Sequence, residues 1–440
     1  MIYLSDAVSR DRCGYDNVQR TVNRHGRRRN LALERSLGYR SRMFVVLWLV
    51  NFLLMFTVSL VSTPKPYLAK EFVEGSDAAA VEAATTEAWG IILSLGFVAS
   101  TLGYFIGGFA ADTIGKRTVV MGSFAVLAVG CGLFAVAPNM YFLFLASFVE
   151  MFAVGLSGPA ISALAADCSA QSSRGMAYGV FNLSWVMAQV PAPLLGGLIG
   201  QVVNLHTPFS LAVFLSIVGM VFSVLMQGKN VKAKKQAAED PVATGSATPK
   251  QATSLRKVVL IFGATNLSNG LLNGFVSPLL TGILMFRLSA NLTEYGLVLS
   301  IASSLVTGLV QIPGGKLADR LGRKPLVLSG FLCIPLVLLL AYSRSLFDFA
   351  LIMSGISAIG NISSPAISAW MMDLIPEHRR ASVSGVTQGI NGIGLSVGPT
   401  AGSYAWNSTK PDAAVPCGIA AIIFATALPF YFMLKDSRVS

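Results

Sequence analysis

The chain has 440 residues, of which 53% are hydrophobic and 12% charged, with a formal net charge of +12. Soluble domains carry roughly twice that share of charged residues, so the composition excludes an ordinary soluble fold and points to a chain dissolved in a bilayer. The basic excess would suit a nucleic-acid surface only if it were clustered on one folded face, and its distribution along the chain gives it another meaning.

Residues 1–42 carry ten Arg and no Lys, including Arg27-Arg28-Arg29, and end at the first apolar run. Arginine suits a transit peptide, but Asp6, Asp11, Asp16, Glu34 and a modest serine content argue against one. The segment reads as a cytoplasmic tail that sets topology, or that also touches anionic lipid headgroups. Six runs of roughly 20 apolar residues, each long enough to cross a bilayer as a helix, follow near 43–63, 88–111, 117–137, 140–166, 176–200 and 208–228. Residues 229–255, rich in Lys, Ala, Gln, Thr and Gly and holding Pro241 and Pro249, read as a cytoplasmic linker with too little apolar surface to fold. Six more runs lie near 257–286, 293–315, 325–343, 346–372, 381–405 and 413–434. The expectation is an all-α integral membrane protein of twelve spans in two six-helix bundles, 43–228 and 256–436, with residues 437–440 a short cytoplasmic end.

The halves repeat each other. Gly107-Gly108-Phe109-Ala110-Ala111-Asp112-Thr113-Ile114-Gly115-Lys116-Arg117 returns as Gly314-Gly315-Lys316-Leu317-Ala318-Asp319-Arg320-Leu321-Gly322-Arg323-Lys324. Downstream, Ser157-Gly158-Pro159-Ala160-Ile161-Ser162-Ala163 and Asp167 are echoed at a shift of 206 by Ser363-Ser364-Pro365-Ala366-Ile367-Ser368-Ala369 and Asp373. At the same shift Arg174 and Gly179 answer to Arg380 and Gly385, and Pro193 and Gly196 to Pro399 and Gly402. Such symmetry in an apolar chain marks a transporter built of two bundles around a central site.

Lys and Arg collect in short cytoplasmic loops. With the N-terminus inside, 28 of the 33 basic residues lie on that side, leaving Lys65, Lys70, Arg287, Arg344 and Lys410 outside. The charge is therefore orientation, both termini are expected in the cytoplasm, and no nucleic-acid partner is needed. Cys13, Cys131, Cys168, Cys333 and Cys417 lie apart, as do His25, His206 and His378. They suggest no disulfide framework, metal site, cofactor or catalytic pair.

The repeated turn has its own chemistry. A glycine at the membrane face lets two backbones approach, and an Asp at a helix end needs a cation or free backbone N–H groups. Asp112 and Asp319 should find them in Arg117 and Arg323 and at the N-terminus of an opposing helix, with Gly108 and Gly315 as the close-packing positions. The alternative is a turn that only tightens a loop. Asp167 with Arg174, and Asp373 with Arg380, bracket two further loops, and a charge network through Arg117, Asp167 and Arg174 is expected. Glu150 is the single acid well inside an apolar run. Charge at membrane depth costs roughly 2.5–3.5 kcal/mol, and apolar surroundings favour the neutral form of an isolated carboxyl. That suits reversible protonation; a neutral Glu satisfied by a neighbouring hydroxyl or amide is the other reading. Asn266, Asn269 and Asn273 share one side of span 7, and Ser354, Ser357, Asn361 and Ser364 one side of span 10, at helical spacing. Asn51 in span 1 and Ser157 in span 4 extend the set, and stripes of this kind also serve as helix–helix glue.

Gly315 to Lys324 closely match the signature between the second and third helices of the major facilitator superfamily, Gly-x-Leu-Ala-Asp-Arg-x-Gly-Arg-Arg/Lys. The first copy keeps Gly108, Asp112, Gly115 and Arg117 but has Phe109, Thr113 and Lys116 at varied places. Over residues 43–436 the chain resembles that superfamily. The resemblance implies alternating access, with the signature turns latching the cytoplasmic side by contacts of span 2 with span 11 and span 8 with span 5. It also implies that spans 1, 4, 7 and 10 line the cavity, placing Asn51, Ser157, Asn266, Asn269, Asn273, Ser357 and Asn361 on its wall. The family often has Arg where Glu150 stands, so Glu150 is a departure that leaves the usual basic partner missing. Gly394-Leu395-Ser396-Val397-Gly398-Pro399-Thr400-Ala401-Gly402 and Pro191-Ala192-Pro193-Leu194-Leu195-Gly196-Gly197 are similar to an element of the family's antiporters, the second without its leading glycine.

The expected function is secondary active export of a small organic solute in exchange for protons, by a monomer in the plasma or inner membrane, with Glu150 as the coupling acid. A proton symporter or facilitator for a sugar or organic acid is the alternative within transport. A receptor or scaffold of the same fold is the alternative outside it. No nucleophile, base and orienting group come together, so an enzyme is not expected.

Overall fold

The computed structural model describes residues 42–168, 174–226, 249–364, 366–367, 370, 380–409 and 412–433. At Ala166 and Ile312, and at 174–179, 249–257, 315–316, 318–319, 323 and 380–385, it describes the backbone alone. Every described element is helical, as lipid requires of a chain that must satisfy its own backbone polar groups.

Span 1, Arg42–Ser62, continues past Thr63 into a short helix, Pro64–Glu71. Pro64 sits in the first turn of that helix, where a missing N–H costs nothing. Span 2, Ala78–Ala110, starts with Asp77 accepting from the Ala80 N–H. It runs through a π-turn, Ala111–Gly115, into span 3, Lys116–Ala135. Span 4 is Met140–Asp167 and span 6 Thr207–Val224. Span 5 breaks into Arg174–Gln189 and Pro191–Val202.

Span 7 is Pro249–Gly282 with a π-turn, Ile283–Arg287. Span 8 comprises Leu292–Leu297, the π-segment Val298–Leu305 and Val306–Leu321. Span 9 is segmented between Arg323 and Tyr342. Span 10 is Leu346–Ile362, opened by a capping box of Ser345 and Asp348. Span 11 is Arg380–Thr409, and span 12 is Ala414–Ala425 with Leu428–Met433.

Among the described residues nine helices are long and apolar enough to cross a membrane. Twelve passes are consistent with that number. Ala78–Ala135 is counted once but holds two passes meeting at Gly115, Leu346–Ile362 is short, and Arg380–Thr409 is rich in Gly, Ser and Thr. The buried apolar residues form one cluster within the first six spans and two within the last six.

The duplicated turn is duplicated in backbone geometry. Gly115 has φ 100° and Gly322 φ 96°, a region open to glycine and strained for other residues. The close approach beside it falls one residue earlier than expected. A Cβ on Gly107 would stand 2.3 Å from the Leu156 carbonyl, and one on Gly314 2.5 Å from that of Ile362, whereas at Gly108 the nearest atom is Pro159 Cβ at 3.9 Å. The side-chain surroundings of Gly315 lie outside the described residues. On span 11, Gly394, Gly398 and Gly402 place one face directly on the span 7 backbone, where a Cβ on Gly402 would reach 2.1 Å from the Phe275 carbonyl.

The helices expected to meet across the halves do meet, and among the described residues the side-chain hydrogen bonds between them lie toward the end away from the turns. Between spans 2 and 11, Trp406 donates to Glu82 at 3.0 Å, Asn407 to the Ala83 carbonyl at 2.9 Å, and Ser94 bonds Thr400 at 2.8 Å. Toward the turns, Phe105 of span 2 lies 3.6 Å from where a Cβ on Gly389 of span 11 would stand. Between spans 5 and 8, the Leu194 N–H donates to Ser300 at 3.0 Å and the Thr293 N–H to Gln201 at 3.0 Å.

Candidate functional site

A cavity of about 570 Å³ opens among spans 7 to 12, span 8 contributing Ser303. One wall carries Asn266, Asn269 and Asn273, and another Ser357 and Asn361, because i, i+3 and i+4 positions share a helix face. Asn391 of span 11 joins them, and Phe331, Phe424 and Met353 are among the apolar lining residues. No charged side chain is among the described lining residues. Solute sites usually combine this size with an apolar wall and a few convergent polar groups.

Five of the seven residues expected on a cavity wall thus share one. Asn51 and Ser157 do not join it. Asn51 is buried and donates to Ser184 of span 5 at 2.7 Å, while Ser157 is fully buried and donates to the Val154 carbonyl at 2.8 Å. Both make contacts within the first half. Asn391 escaped the sequence reading because a lone amide in a Gly-rich helix shows no stripe. Its contact with span 7, a bond to the Asn266 carbonyl at 3.0 Å, spans 125 positions.

Glu150 has a basic partner, which corrects the expectation of an isolated acid. Its side chain is 0% exposed and pairs with the ammonium of Lys65, a residue 8% exposed. Lys65 belongs to the short helix Pro64–Glu71, so it is buried beside span 4 rather than standing in an outer loop. Its Nζ also lies 5.1 Å from the centroid of the Phe134 ring, a cation–π contact that helps offset desolvation. Span 3 approaches closely here, since a Cβ on Gly130 would be 2.7 Å from the Glu150 nitrogen. Glu150 Oε2 takes the lysine; Oε1 is buried and has no hydrogen-bond partner among the described residues.

The short helix carrying Lys65 also joins the two halves. Thr63, at its N-cap, donates to the Pro193 carbonyl at 2.9 Å, and Tyr67 donates across the halves to the Ala290 carbonyl at 2.6 Å. Tyr67 packs edge-on to Tyr295 at 5.9 Å, and Lys70 lies 5.5 Å from the Phe286 ring centroid.

At the turn face, Asp167 is held by Lys116 at 2.5 Å, and Lys116 also reaches the Ala163 carbonyl at 3.3 Å. The expected network through Arg117 therefore runs through its neighbour, because Lys116 opens span 3 facing the end of span 4. Asp112 is exposed, and among the described residues neither it nor Arg117 forms an ion pair. The side chains of Arg174, Asp319, Arg323 and Arg380, and Asp373 entirely, lie outside the described residues.

Two repeated helical halves in one apolar chain, meeting across a shared interface beside a solute-sized cavity, define a two-bundle, multi-pass membrane transporter. The chain belongs to the major facilitator superfamily, whose sequence profile matches residues 47–267 and again 262–440. It is 20% identical over 360 residues to the class H tetracycline resistance protein of Pasteurella multocida, covering 82% of this chain and 88% of that one. To the multidrug resistance protein MdtG of Salmonella arizonae it is 23% identical over 409 residues, covering 91% and 97%. In fold it matches the peptide transporter POT, solved in complex with sulfate, with a TM-score of 0.70 and 15% identity over 92% of this chain and 97% of that one.

Proposed function

We propose that the chain exports a small organic solute across the plasma or inner membrane in exchange for protons, as a monomer with both termini in the cytoplasm. The cavity of about 570 Å³ carries the reading. Among the described residues the side-chain hydrogen bonds between the halves lie toward the end away from the turns, which, with the basic turns inside, supports a solute site that faces the cytoplasm. Kinship with tetracycline and multidrug resistance proteins supports export.

Glu150 is the coupling acid and Lys65 its counter-ion. A proton bound at Oε1 removes the charge that holds the ammonium, and Lys65 sits on the helix that seals the halves through Tyr67. Proton occupancy at Oε1 is thereby coupled to the state of this joint between the halves. The turn residues Gly108, Asp112, Arg117, Gly315, Asp319 and Arg323, with Asp167, Arg174, Asp373 and Arg380, serve to close the opposite face. A proton symporter for a neutral sugar is the second reading, favoured by the uncharged amide wall.

Uptake into proteoliposomes with and without an imposed pH gradient is the test. Glu150→Gln keeps shape and fixes the side chain neutral. It leaves the Lys65 ammonium unpaired and so destabilises the protein; in the fraction that still binds solute it is expected to abolish accumulation driven by the gradient while sparing solute exchange at equal concentrations, and wild-type accumulation by this variant would make Glu150 structural. Transport with the proton gradient rather than against it would select symport, and no transport would select a receptor or scaffold.

A further inference from the structure

Of the five amides on the cavity wall, four are not free to turn; Asn269, the fifth, lends a neighbour only its backbone carbonyl. Asn266 Nδ2 donates to the Phe262 carbonyl at 2.8 Å, Asn273 Nδ2 to that of Asn269 at 2.9 Å, and Asn361 Nδ2 to that of Ser357 at 2.9 Å. Asn391 Nδ2 donates to the Asn266 carbonyl at 3.0 Å. A backbone carbonyl only accepts, so the nitrogen end must face it, and the side-chain oxygen is fixed at the other end of each amide. Ser363, also on the wall, spends its hydroxyl proton on the Gly360 carbonyl at 2.9 Å. Each docked amide therefore offers two lone pairs against one remaining N–H, and the docked serine offers lone pairs alone. Among the described residues none of the four Oδ1 atoms has a hydrogen-bond partner in the protein.

From this geometry we infer that the cavity selects solutes presenting several N–H or O–H donors along one edge, and discriminates against analogues whose donors are capped by alkyl groups. The inference rests on the cavity being the solute site. With no formal charge among the described lining residues, recognition runs through donor count, and the nearby Phe331 and Phe424 rings, stacked at 4.8 Å, give an apolar surface for the rest of the molecule. Amines and polyols share this donor chemistry.

Two planar cationic dyes separate donor count from charge and shape: proflavine, with two primary amines, and acridine orange, in which both are dimethylated. Binding to the purified transporter is read by fluorescence anisotropy. Proflavine is expected to bind on the order of tenfold more tightly, the equivalent of about one net hydrogen bond. The ratio should fall to about one in Asn266→Leu and in Asn361→Ala, two variants that keep Asn391 and its tie between spans 7 and 11. A polyol arm uses methyl glucoside and its permethylated form as competitors, and displacement by the first alone places hydroxyl donors in the same class. Equal or tighter binding of acridine orange, a ratio unchanged in both variants, or no binding by either proflavine or methyl glucoside would overturn the inference. A protein that discriminates between the dyes but moves neither across a membrane would sink the transport reading and leave the cavity chemistry standing.

Discussion

Glu150 and Lys65 show how far single residues can be read. That Glu150 is unusual is visible in the chain, because an acid in a run such as Phe148-Val149-Glu150-Met151-Phe152 has no bland surface role. Its partner was not visible. Lys65 lies 85 positions away, beyond the end of the first apolar run, where a lysine ordinarily meets water. The signal that would have found it is Pro64, which starts a second helix in line with the first and carries Lys65 back against span 4. Breaking a buried pair from one side leaves an uncompensated charge and costs about 3–5 kcal/mol, whereas replacing both partners by apolar groups is often neutral. Lys65→Met should therefore lower the thermal midpoint of the purified protein sharply, and Lys65→Met with Glu150→Leu should recover most of the loss. The double variant should still fail to accumulate solute under a pH gradient. If Lys65→Met unfolds at the wild-type temperature, the pair is not a buried bridge.

Among elements, the repeated turn was the most legible feature, because a charged Gly-Asp-Gly-Arg pattern inside apolar sequence has few other meanings. Its two positive-φ glycines appear at the repeated positions. Which glycine touches a neighbouring backbone was misassigned by one residue, since helix rotation decides whether Gly107 or Gly108 faces span 4. Helix partners, 2 with 11 and 5 with 8, came only from the family resemblance, and it did not give the level at which they touch, which depends on the conformational state. Asp112 is exposed here while the far ends are joined through Trp406 and Glu82. Asp112→Asn should therefore leave dye binding to the cavity unchanged within about twofold, a shift well under 1 kcal/mol, and cut turnover. Normal turnover in Asp112→Asn, in Asp319→Asn and in the double variant would remove the turns from gating.

For the whole molecule, the apolar runs foretold an all-helical membrane chain, and the spacing of the repeat foretold two halves. The orientation rests on the charge imbalance between loops. Single cysteines introduced into a background lacking the native five should be labelled by an impermeant maleimide in intact cells at Ser76 and not at Ala247; the reverse pattern would invert the assignment of inside and outside. The cavity was only partly legible. Its amide stripes on spans 7 and 10 were, but their confinement to the second half was not, because equivalent helices in a repeat need not keep equivalent side chains. Span 1 carries Trp48, Phe52 and Phe56, the first two rings stacked at 5.7 Å and the last two tilted at 5.6 Å. Span 7 carries asparagines instead.

The acid–lysine pair lies wholly in the first half and the amide wall wholly in the second. If the proposed roles hold, selection can reshape one without touching the other: drift in the second half would alter what is carried, while the use of the ion gradient would be inherited unchanged from the first. A lineage built this way acquires new cargo by changing half a gene, and a hybrid of two such chains takes its cargo from one parent and its power supply from the other.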